Sequence, residues 1–350
     1  MLSRRPKVSL IVCTRNRGSR LLDFLTRLSQ FEPVPGGWEL IVVDNSSTDS
    51  TPAIVEEFAR SASIPVRSVR AGVGGLARAR NVGIAESAGD LLAFTDDDCY
   101  PRLDYLRALV EVFDEYGPGF IGGRVVLHDP TDASVGVRDV TVPKEIPPRT
   151  FISAGAILGA NMAVSREVVR TIGGFDPHLG AGTSCLAGED TEYLARAAWA
   201  GWSGRYDPRP VVAHHHGRKP GPDAIRQARG YDYGRGAYYI KFVLDRRSRR
   251  TYLKHWYWAA RRDLMEARIG RPWRELVGAA RYLTSRLWRP EPMPTFDDQQ
   301  TPAPAHVAGQ QPRSTPDDAL GEEQGALHPH RRDPRHGSGP AHSRRQDDAP

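Results

Sequence analysis

The chain has 350 residues, 39% of them apolar, and a formal net charge of +6. That is enough apolar material for a real core in one large domain or two small ones. The basic excess suits phosphate-bearing substrates or an anionic membrane surface; with no zinc-finger spacing and no RNA-binding signature, no nucleic-acid partner is expected. The three cysteines, Cys13, Cys99 and Cys185, are odd in number and far apart, which excludes a disulfide framework and favours a reducing compartment. Arg4, Arg5 and Lys7 lead into a short strand-like run rather than a signal-peptide core, and no run of about 18 apolar residues is present to span a bilayer. A cytoplasmic location is therefore expected, with a peripheral position on the cytoplasmic membrane face left open.

In chain order, Val8 to Cys13 reads as a buried strand, and Ser19 to Phe31 sets Leu21, Leu22, Leu25 and Leu28 at helical spacing. Trp38 to Val43 is a second strand ending at Asp44. Thr51 and Pro52 make a cap and first-turn pair for a helix carrying Ile54, Val55 and Phe58. Val66 to Val69 is a short third strand, Gly74 and Gly75 open a helix through Ile84, and Leu91 to Thr95 is the next strand. Leu103, Leu106, Val110 and Phe113 mark the helix after it. Alternating strands and helices imply an α/β fold, a parallel sheet with helices on both faces. In such sheets ligands bind beyond the carboxyl ends of the strands, where Asp44 and Asp96, Asp97 and Asp98 lie.

The second part is less regular. Phe120 to Leu127 is strand-like, the polar, Pro-interrupted stretch 129–148 is expected to be a mobile loop, and Ile157 to Val164 is another strand before a short helix from Arg166. A helix runs from Gly188 to about Ala200, and Val211 to His214 is a last short strand. From Pro222 the pattern turns helical and basic, with Tyr231, Tyr233, Tyr238 and Tyr239 interleaved, and Thr251 to Trp288 reads as two helices separated by Gly270 and Pro272. Beyond Pro290 the chain is rich in Pro, Gln, Asp, Arg and His and poor in large apolar residues, the composition of a disordered tail.

Three consecutive carboxylates, Asp96, Asp97 and Asp98, close the apolar run Leu91-Leu92-Ala93-Phe94. Like charges this close repel unless a cation sits among them. Clustered oxygen ligands suit a hard divalent ion, Mg²⁺ or Mn²⁺, which can hold a diphosphate. An acidic turn capping the next helix is the plainer alternative.

Five blocks in order carry a resemblance: VSLIVCTRNR, ELIVVDNSSTDST, GLARARNVGIAESAGDLLAFTDDDC, GANMAVSREVVRTIGGFDPHLG and GEDTEYLARAAWAGW. Over about residues 7–245 the chain resembles the family 2 inverting glycosyltransferases of GT-A fold. The resemblance implies a Rossmann-like, mixed but mainly parallel sheet flanked by helices. Together with the changes of pattern at Pro222 and of composition at Pro290, it divides the chain into a catalytic domain over 1–220, a basic aromatic helical extension over 221–289 and the tail over 290–350. It also implies a nucleotide-diphosphate sugar donor, commonly UDP-linked, and Mg²⁺ or Mn²⁺ as cofactor. Saccharide, lipid-linked and small-molecule acceptors stay open, as do polysaccharide, glycolipid and natural-product glycosylation.

By the same resemblance, Asp44 accepts hydrogen bonds from the nucleobase, flanked by Thr14 and Arg17; an Asx-turn into Asn45-Ser46-Ser47 is the local alternative. Arg80 and Asn81, in the ARN block, face the nucleotide. Arg78, two residues from Arg80, points elsewhere and is expected in solvent. Asp96 and Asp98 match the metal-binding DxD motif. Asp98 is expected on the metal, Asp96 on the ribose or a metal-bound water, and Asp97 also belongs to the nucleotide-sugar set. In strand-like geometry the first and third share a side. His214 is expected to complete the metal site, with His216 in reserve. Asp190 of the ED motif is expected to be the general base, and Glu189 to fix the loop or touch the acceptor. Arg218 and Lys219 are candidates for neutralising diphosphate.

The basic aromatic helices leave two readings open, a cap packed on the catalytic domain and a surface meeting anionic lipid. Two rival functions are a sugar nucleotidyltransferase and an inactive nucleotide-sugar-binding scaffold. The first is disfavoured because TRNRGS, after the first strand, has only one glycine, and the intact acidic blocks disfavour the second.

Overall fold

The computed structural model describes residues 6–296. The unbroken apolar runs are strands covered on both faces. In β1 (Val8–Thr14), β2 (Trp38–Asp44) and β4 (Leu91–Asp96) successive side chains point to opposite sides. Ile11, Ile41, Val43, Leu92 and Phe94 pack with residues of α3 (Leu76–Ala85) and α6 (Glu189–Trp199). Leu10, Val12, Leu40, Val42 and Ala93 pack with α1 (Gly18–Leu28), α2 (Thr51–Ser61) and α4 (Tyr105–Tyr116). Helix α3 sits so close to the sheet that a Cβ on Gly83 would stand 2.4 Å from Ile11 Cγ2.

The sheet is mixed. β3 (Val66–Arg70), β2, β1 and β4 run parallel to one another. It continues through β8 (Met162–Ser165), antiparallel to β4, to β6 (Phe120–Leu127), β9 (Gly204–His214) and β5 (Cys99–Pro101). In register, Thr14 stands opposite Asp44 and Cys13 opposite Asp96. The carboxyl ends of three neighbouring strands therefore finish at one level and open into one cleft.

Four expectations change. The stretch 129–148 is not a free loop: β7 (Lys144–Ile146) pairs with β9, Arg138 bridges Val125, and Lys219 holds Asp129 and Asp132 at 2.6 and 2.7 Å. Its prolines and polar residues reflect an edge, where one side of the backbone needs no strand partner. The run from Ile157 divides into a 3₁₀ turn, Gly159–Asn161, and β8, because Gly159 must leave room for Arg80. Asp97 and Asp98 form a turn between β4 and β5 rather than extended strand. Residues 291–296, expected within the disordered tail, pack on the domain: Phe296 lies against the core, Glu291 pairs with Arg78, and Pro294 O accepts from Gly174 N at 2.8 Å. The remainder of that tail lies outside the described residues.

The helical extension is α7 (Pro222–Leu244), α8 (Arg249–Met265) and α9 (Gly270–Trp288). The break before α9 falls at 266–269; Pro272 lies in the first turn, where its missing N–H leaves no bond unmade. Helices α7 and α9 cross backbone to backbone: a Cβ on Gly236 would stand 1.8 Å from Glu275 O, and one on Gly278 2.0 Å from Tyr233 O.

Before α6, Asp176 ties the extension to the sheet domain. It pairs with Lys241 Nζ at 2.6 Å and accepts from Tyr282 Oη at 2.8 Å. Burial opposes its charge, but Lys241 and these hydrogen bonds hold the carboxyl down at about 2. A depressed carboxylate contributes stability above its unfolded value of 3.8 and loses it as pH falls through the folded value. That contribution is about 2 kcal/mol. Urea midpoints should therefore separate wild type from Lys241→Met widely at pH ~5 and converge toward pH ~2. A gap that does not narrow in acid removes Asp176 from this role.

Candidate active site

The three aspartates diverge because Asp96 ends β4 while Asp97 and Asp98 sit on the turn that follows. Asp97, buried, accepts from Thr14 Oγ1 at 2.6 Å and pairs with Arg17 Nε at 3.2 Å. Burial pushes it up to about 6, against the pull of Thr14 and Arg17. Asp98 meets Arg17 Nη2 at 3.2 Å and His214 Nε2 at 3.5 Å. Burial works against its charge, yet the His214 hydrogen bond and charge, with Arg17 and Arg218, hold it below the usual carboxylate range. Asp96 faces the cleft with Arg80 Nη2 at 3.5 Å; withdrawal from water raises its pKa, while Arg80 opposes the rise. Arg17 thus bridges two of the three acids.

Of the three consecutive histidines, His214 is the one that reaches Asp98. Its Nδ1 faces Gly136 O at 3.1 Å, which turns Nε2 toward the carboxylate. His215 lies against His128, the rings tilted by 32° with centres 4.5 Å apart. His216 spends Nε2 on Ala133 O at 3.0 Å and Nδ1 on Arg218 N at 2.9 Å, so the reserve candidate is tied up in the backbone. Lys219 holds the 129–132 turn, as above, and not the cleft.

Ligand-type atoms of Asp98, His214 and Cys99 lie within 4.8 Å of one another. Burial raises the Cys99 thiol well above its ordinary value, and sulfur is a poor match for a hard ion. The usable donors are a carboxylate oxygen and an imidazole nitrogen, with water and phosphate oxygens left to complete a divalent ion's shell. That set suits a divalent ion.

At the end of β2, Asp44 is buried. Its Oδ1 accepts from Ser47 N at 3.0 Å, the Asx-turn alternative, while Oδ2 is buried with no hydrogen-bond partner among the described residues. Arg70 approaches that oxygen only to 3.7 Å. A buried acceptor left unpaired is costly, and such atoms mark places where a ligand donor belongs.

Arg80, on α3, is buried between the two acidic groups. It donates to Glu189 Oε1 at 2.9 Å as well as approaching Asp96, and lies 5.4 Å over the Phe175 ring. A Cβ on Gly159 would stand 2.7 Å from its guanidinium. Glu189, also buried, is held above the usual range by burial and by the adjacent Asp190 charge, with Arg80 opposing. Its Oε1 is held by Arg80 of α3. Asp190 Oδ2 accepts from Gly159 N at 2.9 Å and Oδ1 from Thr191 N at 2.6 Å. Those backbone donors, absent from the sequence reading, fix the carboxylate's orientation.

Asn81 clamps the backbone of Phe175, donating to its carbonyl at 2.9 Å and accepting from its N–H at 2.7 Å. It holds the Gly173–Asp176 turn. Arg78, expected in solvent, pairs with Glu291. Trp199 and Trp202 are partly buried against the core.

The family profile described as Glycosyl transferase family 2 matches residues 9–173. The glycosyltransferase AglE of Haloferax volcanii is 28% identical over 250 residues, 71% of this chain and 79% of that protein. The poly(ribitol-phosphate) beta-N-acetylglucosaminyltransferase TarS of Staphylococcus aureus is 30% identical over 110 residues, and the match spans only 19% of its length. Among solved structures, the mannosyltransferase PcManGT of Pyrobaculum calidifontis, in complex with GDP-Man and Mn²⁺, superposes with a TM-score of 0.53 at 19% identity, over 83% of this chain and 89% of that one. S. aureus TarS 1–349, in complex with UDP-GlcNAc, gives 0.50 at 16% identity, over 70% and 69%. No described helix is long and apolar enough to cross a membrane. The ordered blocks, the sheet and these likenesses agree: residues 9–173 match the family 2 glycosyltransferase profile, and the chain has the GT-A fold.

Proposed function

We propose that the cleft binds a nucleotide-diphosphate sugar and passes its sugar, with inversion, to an acceptor hydroxyl. The observation that carries this is the convergence at the carboxyl ends of β1, β2 and β4. Asp44 keeps one free buried oxygen there, Asp96 to Asp98 close the same edge, and Asp190 lies beyond Arg80. A single free carboxylate oxygen matches the one ring N–H of uracil; guanine would offer two adjacent donors and find one acceptor. A uridine donor is therefore favoured.

Thr14, Arg17 and Asp97 form the wall beside the nucleotide, and Asp96 lies nearest the ribose. Asp98 and His214 would hold the divalent ion, which when bound offsets charge on the departing diphosphate. Asp190, its carboxylate fixed by Gly159 and Thr191, takes the proton of the attacking hydroxyl. Arg80 keeps Glu189 compensated and so holds the base's helix in place. Asn81 positions the neighbouring turn.

Thermal unfolding with nucleotides tests the donor side. UDP with Mn²⁺ at about 100 times its Kd should stabilise the fold by about 2.7 kcal/mol. GDP should do less, and Asp98→Asn should lose the Mn²⁺-dependent part. Absence of any UDP effect would sink the reading.

Helix α9 also carries Trp273, Leu276, Leu283 and Leu287 on one stripe, exposed by between 36% and 78%, away from its buried Gly278 and Tyr282. Exposed Arg246, Arg247 and Arg250 lie where α7 gives way to α8. An apolar stripe on a basic helical extension supports peripheral contact with anionic lipid. Leu276→Ser with Leu287→Ser should abolish flotation on phosphatidylglycerol vesicles; undiminished flotation would remove the stripe from that role.

A further inference from the structure

We propose that the cavity between the segment Pro177–Ser184 and α9 is a binding site for a phosphate group, one carried by the acceptor. The anion site stands on its own geometry; only its assignment to the acceptor rests on the glycosyl-transfer reading.

The cavity has a volume of about 470 Å³, ample for a phosphate and the group it esterifies. Its walls bring together Arg78, Arg281 and Arg289, and none of its lining residues is acidic. These arginines come from α3 and from α9 and its end, two hundred residues away in the chain. Arg289 is exposed and has no ion-pair partner among the described residues. Arg281 spends one N–H on Ser184 O at 3.2 Å, which leaves other donors of its five-donor fork. Arg78 pairs with Glu291, a half-exposed carboxylate of the chain just beyond α9, which a stronger anion can displace.

A second observation points the same way. His178 lines the cavity, is only 5% exposed, and its Nε2 is buried without a hydrogen-bond partner among the described residues. Its ring is held edge-on to Tyr282, with centres 6.4 Å apart, and its backbone N–H is spent on Asp176 at 3.0 Å. In the tautomer protonated at Nε2 this ring carries a donor that no described residue satisfies. Planar guanidinium forks are the recognition chemistry of a tetrahedral oxyanion.

The cavity adjoins the site where the sugar is transferred. Its segment docks on α3 through Leu76 N to Ala181 O at 2.9 Å, and a Cβ on Gly180 would stand 2.9 Å from Glu189 Oε2. The residue after Glu189 is the proposed base. One segment thus lines the cavity and packs on the helix that carries the proposed base.

Calorimetric titration of the full chain with inorganic phosphate tests this, with EDTA present so that no divalent ion recruits phosphate to Asp98. Wild type should bind saturably. Arg289→Gln and Arg281→Gln should each weaken binding about tenfold, the effect of one charge-assisted hydrogen bond. Arg289 is a surface residue, so its variant folds. Asp98→Asn and Asp190→Asn should bind phosphate like wild type; transfer lost with phosphate binding kept separates the two sites. Displacement of phosphate by phosphatidic acid vesicles places the anion on a lipid headgroup, and displacement only by glycerol 3-phosphate places it on a soluble ester; both support the site. Absence of saturable binding, or binding unchanged in both arginine variants, overturns it.

Discussion

Replacing Arg80 by Met should destabilise the fold by about 3–5 kcal/mol, the cost of leaving a buried partner charge uncompensated. The guanidinium is 3% exposed and Glu189, 2.9 Å away, is 8% exposed, so water cannot take over either charge. Asp96 would lose its counter-charge as well. Urea denaturation should show a lower midpoint with an unchanged slope. The double variant Arg80→Met with Glu189→Gln should recover part of the loss, because the orphaned carboxylate is gone. If the double variant is no more stable than Arg80→Met, the ion pair is not the source of the effect. Arg80→Lys should not substitute, since one ammonium lacks the fork that serves Glu189 and Asp96 together.

Asp190→Asn should remove transfer while leaving the fold intact. Loss of a positioned base costs about 10²–10⁴-fold in rate. The amide keeps an oxygen for the Gly159 N–H, so the thermal midpoint should hardly move. Purified protein with a panel of nucleotide sugars and Mn²⁺ should release nucleoside diphosphate in wild type and fail to do so in the variant. Equal turnover by the variant would take Asp190 out of the reaction. Because Asp190 and Arg80 do not touch directly, a variant that loses rate but keeps stability, beside one that loses both, separates chemistry from scaffold.

The first half of the fold was legible from residues alone, because doubly covered parallel strands write themselves as apolar runs and their carboxyl ends are punctuated by Asp44 and Asp96. The meeting of Asp98 with His214 was readable as a resemblance and is a contact across 116 positions that no local pattern encodes. What stayed hidden was hydrogen bonding to backbone. Nothing in the letters says that Asn81 serves the Phe175 peptide, that His216 serves Ala133, or that Gly159 donates to Asp190. Edge pairing was missed for a related reason: the strand Lys144–Ile146 is only three residues long and takes its identity from β9, not from its own periodicity. The arginines of α9 gave no signal because their partners on the 177–184 segment lie about a hundred residues upstream.

The pairing of Thr14 with Asp44 and of Cys13 with Asp96 has a consequence for how this chain can vary. Side chains in a strand alternate with a period of two, so a single inserted or deleted residue inside β1 would turn Thr14 away from Asp97 and slide every neighbour to the opposite face. Swaps of one aliphatic residue for another along the ladder should be absorbed with little harm. Changes of length should not. The spacing between the glycines and prolines of the loops can drift, whereas the count of residues from Val8 to Thr14 cannot.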